Sequence, residues 1–227
     1  GGGCSSDEDV DGVCDDAEIL GCTDSAADNF DATATEDDGS CTTEEPNEPD
    51  TTSSGFLGLV QQEVGSGPGG AAIHRVYAQF DTSGYEVIST FGTEDHPWTV
   101  ESTTGFYQSP DGGPLASNLP AVSTATSPFD SWFTIGGDQS ESFSLLSVGL
   151  DFTTFEAGGN FEESDPEGGA IFIIPGSEDV AVSGSDGKVL IAQFTSTGSM
   201  DFLVNLKFIN PNGGNPEVMF LMIRSPP

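Results

Sequence analysis

The chain has 227 residues and a formal net charge of −34, with 38 Asp plus Glu against only 4 Lys plus Arg. The first 50 residues hold 17 acids and no bases; the rest holds 21 acids and 4 bases, so each part carries −17 and the acidity is not confined to one tail. This excludes nucleic acid as a partner, because phosphate binding needs clustered Lys and Arg to displace counterions, and anionic membrane surfaces repel such a chain equally.

No apolar run approaches the roughly 18 residues that span a bilayer, so no membrane insertion is expected. The opening Gly1-Gly2-Gly3-Cys4 lacks a charged n-region and an apolar h-region, and the chain reads as a mature or trimmed soluble one. Residues 4–41 hold every cysteine and many carboxylates, with Ile19, Leu20 and Phe30 as the large apolar exceptions. Such a stretch cannot build a core, so its order is expected to come from disulfides or metal.

Within it, Asp7-Glu8-Asp9-Val10-Asp11-Gly12-Val13-Cys14-Asp15-Asp16-Ala17-Glu18 places carboxylates at loop positions 1, 3, 5, 9 and 12 with glycine at position 6. Calcium needs that spacing: Asp7, Asp9, Asp11 and Asp15 converge, the Val13 carbonyl supplies position 7, Gly12 permits the sharp turn, and Glu18 chelates with both oxygens. Flanking helices are not evident, which argues against a regulatory switch with an opening groove. The loop resembles the thrombospondin type 3 calcium repeat, which also puts a cysteine at the eighth position, here Cys14. That likeness implies a rigid, calcium-filled spacer.

Four cysteines allow three connectivities. Gly21-Cys22-Thr23-Asp24 and Asp37-Asp38-Gly39-Ser40-Cys41 resemble the two ends of a small cysteine module of secreted bacterial proteins, of the Bacteroidota type. The resemblance implies a Cys22–Cys41 disulfide, which leaves Cys4 for Cys14, and an oxidising compartment. A rival resemblance, to a bacterial lipoprotein start, would have Cys4 acylated and one of the other cysteines unpaired. Asp24, Asn29, Asp31, Asp37 and Asp38 are candidates for a second calcium or, equally, for turn-capping side chains. Ser25 and Thr51 sit in short matches to a bacterial O-glycosylation pattern; no Asn-x-Ser/Thr sequon occurs.

Residues 42–54 combine two prolines with repelling acids and no apolar side chain, predicting an extended linker between a module at 1–41 and a domain at 55–227. That domain contains 15 of the 16 Phe, all Tyr and Trp, and no Cys. Apolar residues alternate with polar ones in runs near 56–64, 72–80, 85–92, 98–108, 130–136, 143–153, 159–163, 169–174, 187–196, 200–209 and 216–224, with Gly, Pro, Asn and Asp between them. Without a helical stripe, many short strands must pack sheet on sheet, so the fold class is all-β, a jelly-roll-like β-sandwich. The segments 56–60 and 218–223 are apolar at odd and even positions alike, which predicts burial on both faces.

Arg75-Val76-Tyr77-Ala78, Gly105-Phe106-Tyr107-Gln108 and Asp130-Ser131-Trp132-Phe133-Thr134-Ile135-Gly136 resemble a secreted β module of the same surface proteins, over most of 72–209. The likeness supports location and architecture and transfers no catalytic residue. His74 and His96 belong to no hydrolase or metalloprotease motif and read as surface or capping histidines, so no enzymatic activity is expected. Asp130 reads as the anchor of a strand start. The expected function is a structural subunit of an extracellular fibre or a cell-surface adhesin or stalk, self-associating head to tail into a filament with calcium as its cofactor. The alternative is a carbohydrate-binding surface module whose glycan would meet a platform of Trp98, Tyr107 and Trp132 beside Glu101 and Asp130.

Overall fold

A computed structural model describes residues 18–23, 30–41, 55–138 and 141–224. The chain divides into two compact units, Gly1–Glu48 and Pro49–Pro227.

The first unit contains a parallel pair, β1 (Leu20–Gly21) with β2 (Glu36–Asp37). Ile19, Leu20 and Phe30 are 49%, 64% and 44% exposed, so they make no core, and cross-links do the work instead. Cys22 and Cys41 form a disulfide, as the cysteine-module likeness implied. The Ile19 N–H donates to Thr35 Oγ1 at 2.9 Å and the Thr35 N–H returns to the Ile19 carbonyl at 2.9 Å.

The second unit is an all-β sandwich. Its strands are β3 (Phe56–Ser66), β4 (Ala72–Phe80), β5 (Glu86–Gly92), β6 (Trp98–Ser102), β7 (Trp132–Phe133), β8 (Leu146–Val148), β9 (Phe161–Glu163), β10 (Gly169–Phe172), β11 (Lys188–Ser196), β12 (Met200–Ile209) and β13 (Glu217–Arg224), with one short helix, α1 (Thr153–Glu156). One sheet has four strands in the order β3-β4-β11-β7, and the other has seven, with β13 and β5/β6 on opposite sides of β12. The chain passes repeatedly from one sheet to the other, the jelly-roll-like weave the strand spacing predicted.

Between the sheets lies an aromatic core. Phe133 sits 5.0 Å from the ring centroids of Trp98, Phe155 and Phe161 and 5.5 Å from Phe194. Phe56, Phe80, Tyr85 and Phe208 form a second cluster, with Phe80 stacked on Tyr85 at 4.6 Å. Buried rings of this size each remove a large apolar area from water, so this core stabilises the sandwich without covalent staples.

β5 and β6 are two halves of one interrupted strand. Both run along the same edge of β12, from Ile209↔Glu86 to Asn205↔Phe91 and then from Leu203↔Thr99 to Met200↔Ser102. β10 and β9 repeat the break in the next row, pairing with β5 and β6 respectively. Asn205, buried at the break, donates from Nδ2 to the Phe91 carbonyl at 2.9 Å and to the His96 carbonyl at 2.6 Å, the latter also accepting the Thr93 N–H at 2.9 Å, so one side chain ties the two sides of the break together. Gly92 is required there, since a Cβ would run into the Glu163 carbonyl and the Trp98 amide.

Three sequence expectations change. The runs 98–108 and 143–153 hold only the strands β6 and β8, because the chain turns at Thr103-Thr104-Gly105 and coils into α1 from Thr153. The segment within β13 is not buried on both faces: Met219 and Leu221 point into the core, Val218 is exposed, and the outer face of Phe220 is covered by the His96 ring at 3.7 Å. In β3, a bulge at Phe56/Gly58 leaves Phe56 buried and turns Leu57 out to solvent.

Candidate functional site

On the outer face of the four-stranded sheet, register sets polar side chains in a row beside an aromatic ring. Gln62 of β3 lies opposite Arg75 of β4, Arg75 opposite Gln193 of β11, and Gln193 opposite Trp132 of β7. Their neighbours Val76, Phe194 and Phe133 belong to the core, so alternation turns this row away from it. The segment between β6 and β8 folds over the same face, where Trp132 packs with Ala116 and Leu190 and is joined by Tyr77, Leu119 and Phe143.

Arg75 is held from several sides. Its Nε donates to Gln193 Oε1 at 3.2 Å, its Nη2 to Asp138 Oδ2 at 2.9 Å, and its guanidinium carbon lies 5.9 Å from the Trp132 ring centroid. The buried Gln193 is itself fixed, since its Nε2 donates to the Pro128 carbonyl at 3.2 Å and the Asp130 carbonyl at 3.0 Å. Beside this cluster opens a cavity of about 500 Å³, lined by Arg75, Trp132, Asp138 and Gln193 together with Leu119 and Pro128. The indole N–H of Trp132 is buried without an acceptor.

Behind the row, Asp130 anchors the start of β7 as its sequence position suggested. Its carboxylate accepts the Ser109 N–H at 2.7 Å and the Gly113 N–H at 3.0 Å, and a Cβ on Gly112 would run into it. Burial raises the Asp130 carboxyl above the ordinary carboxylate range, against the pull of those donors. Glu156 of α1 is pushed up to about 7, first by burial and then by the negative charge of Asp130. Its Oε1 and the Oε1 of Gln108 are both buried without a hydrogen-bond partner.

The predicted residues fare differently. Of the calcium set, Glu18 is described, while Asp7, Asp9, Asp11, Val13 and Asp15 lie outside the described residues, as do Cys4, Cys14, Ser25, Thr51, Asp24 and Asn29. Among the described residues no group of three His, Cys, Asp or Glu is placed to hold a metal. Asp31 accepts from both the N–H and the hydroxyl of Thr33, at 2.8 and 2.6 Å, Asp37 from the Gly39 N–H at 3.1 Å, and Asp38 from the Ser40 N–H at 2.8 Å. These three act as turn caps, and the donors from Thr33 and Ser40 hold the Asp31 and Asp38 carboxyls below their usual range.

The proposed sugar platform does not assemble. Trp98 lies between the sheets, Trp132 is buried on the far side of the four-stranded sheet, and Glu101 is exposed on β6 of the other sheet. In β7 the position between the sheets belongs to Phe133. Sequence reasoning missed Arg75, Gln193 and Asp138; that Arg75 is one of only four basic residues was the available signal. His74 is half-buried with its pKa lowered by burial, and its Nδ1 has no partner.

No family model, curated protein or solved structure matches the chain. Among the described residues, no helix is long and apolar enough to cross a membrane.

Proposed function

We propose that the chain is a structural subunit of an extracellular fibre or cell-surface stalk or adhesin, associating head to tail through strand edges. The observation that carries this reading is an asymmetry of the sandwich margins. β3 and β13, 11 and 8 residues long, each pair with one neighbour only among the described residues, and they lie beside one another across the sandwich. The opposite margins are β7, β8 and β9, of 2, 3 and 3 residues.

Long free edges invite pairing with another chain and are usually blunted by lysines. β3 contains no Lys or Arg, and its Leu57 and Val64 are exposed. A contact from the β3 edge of one chain to the β13 edge of the next is heterologous, and it propagates where the reciprocal contact on the same margin does not form and close a pair. The Cys22–Cys41 disulfide fits an extracellular location. In this reading calcium, held by Asp7, Asp9, Asp11, Val13, Asp15 and Glu18, stiffens the segment that precedes the sandwich.

Negative-stain microscopy of the full chain with calcium tests it. Filaments are expected for the native sequence and should vanish in the pair Leu57→Lys and Val64→Lys, which adds basic guards to the β3 edge while thermal unfolding stays unchanged. Filaments that persist in the folded variant, or none in the native chain, refute the edge contact. Chelator should accelerate proteolysis within residues 1–54 and leave the sandwich resistant; equal cleavage with and without calcium removes calcium from the reading.

A further inference from the structure

We propose that the outer-face cavity beside Arg75 and Trp132 is a saccharide-binding site that takes a neutral glycosyl unit. It is separate from the strand edges, so it stands or falls independently of filament formation.

The first argument is preorganisation. Arg75 and Asp138 are partly buried, with side-chain exposures of 28% and 23%, so both remain accessible from the cavity they line. Yet the guanidinium is oriented by three partners, Gln193, Asp138 and the Trp132 ring, and Gln193 is in turn locked onto two backbone carbonyls. Ordering the long Arg75 side chain costs rotamer entropy. Fixing a donor fork at a cavity mouth is what a binding site requires, because it removes that cost from the binding step.

The second argument is size and lining. At about 500 Å³ the cavity lies within the range of small-ligand pockets. Leu119 and Pro128 give it an apolar wall, while Arg75, Asp138 and Gln193 give it a polar side. A pyranose ring offers the matching surfaces, with C–H faces for the wall and hydroxyls that both donate and accept. Of the five guanidinium N–H donors, Arg75 uses Nε–H on Gln193 and one Nη2–H on Asp138, so donors remain for hydroxyl oxygens.

Charge decides the class of ligand. The Arg75 and Asp138 charges cancel within the site, and the whole chain carries −34. That field repels carboxylated, sulfated or phosphorylated ligands, whereas a neutral polyol meets no such barrier.

The test uses the full chain on an array of neutral and acidic glycans, followed by calorimetric titration with the neutral oligosaccharide that gives the strongest signal. Binding to neutral glycans is expected, with at least a tenfold loss of affinity in Arg75→Met and in Asp138→Asn. Ala121→Trp, at an exposed position on the cavity rim, should abolish binding by filling the mouth, and it guards against misfolding in the other two variants. A blank array, binding confined to acidic glycans, or affinity unchanged in folded Arg75→Met and Ala121→Trp overturns the proposal.

Discussion

The two described regions are ordered by opposite means. In the cysteine module Cys22 is buried while Ile19, Leu20 and Phe30 face solvent, so a disulfide, a two-residue parallel ladder and Asp-capped turns hold it. The sandwich has no cysteine and is held by Phe133 and its surrounding rings. A chain segment too short to hide apolar surface must be stapled, and one long enough to enclose two sheets need not be. Each region should therefore be breakable without touching the other.

The largest effect belongs to the core. Phe133→Ala removes a ring that touches four aromatic neighbours within 5.5 Å and should destabilise the sandwich by about 3–5 kcal/mol, measured by denaturant unfolding. The Cys22–Cys41 disulfide should survive in that variant. Conversely, Cys22→Ser with Cys41→Ser opens a loop of sequence separation 19, worth about 3 kcal/mol in the chain-entropy model. Amide dispersion should collapse for residues 18–41 alone, and a shifted sandwich Tm would contradict the division into two independently held regions.

Next in size is the clamp at the broken strand. Asn205→Leu keeps the branched shape but removes the side-chain donor to the Phe91 and His96 carbonyls, of which His96 keeps only the Thr93 N–H, at a cost of about 1–3 kcal/mol. For a domain of this length that lowers Tm by roughly 2–4 °C per kcal/mol. It should also speed amide exchange in residues 93–97, a local effect that Phe133→Ala would not concentrate there.

How much of this was legible follows from the physics of each signal. Two-residue alternation located β4 and β12 because those strands have one face in the core, and the cysteine-module likeness named the disulfide. Periodicity could not see that β5 and β6 are one strand interrupted, since the break is bridged by a buried Asn205 in another strand. It overextended 98–108 because Phe106 is buried without being in a ladder; its N–H goes to the Gly158 carbonyl. The site stayed hidden for a related reason: Arg75, Gln193 and Trp132 are far apart in sequence and meet only through the register of three strands. Asp138, from a loop, had no periodic signal at all.

The smallest effect concerns Glu156, and it sets the sandwich apart from the module in its response to pH. Asp31 and Asp38 of the module have lowered pKa values and so favour its folded form above the carboxylate range. Glu156 works the other way, because its carboxyl is raised from an ordinary 4.5 to about 7 by burial and by Asp130. Between those values the folded sandwich holds a proton that the unfolded chain has released, so this group's contribution declines as pH rises through the window. Glu156→Gln removes the titration while keeping a similar shape. Against the native chain, the variant should gain Tm progressively from pH 4.5 to pH 7 and keep that gain above it. Comparing the two chains at each pH cancels the general self-repulsion of so acidic a protein, which also changes with pH. The gain should be small, since the carboxyl is partly open to solvent and screened. Parallel Tm curves across the whole range would show that Glu156 titrates alike in the folded and unfolded chains and that Asp130 does not press on it.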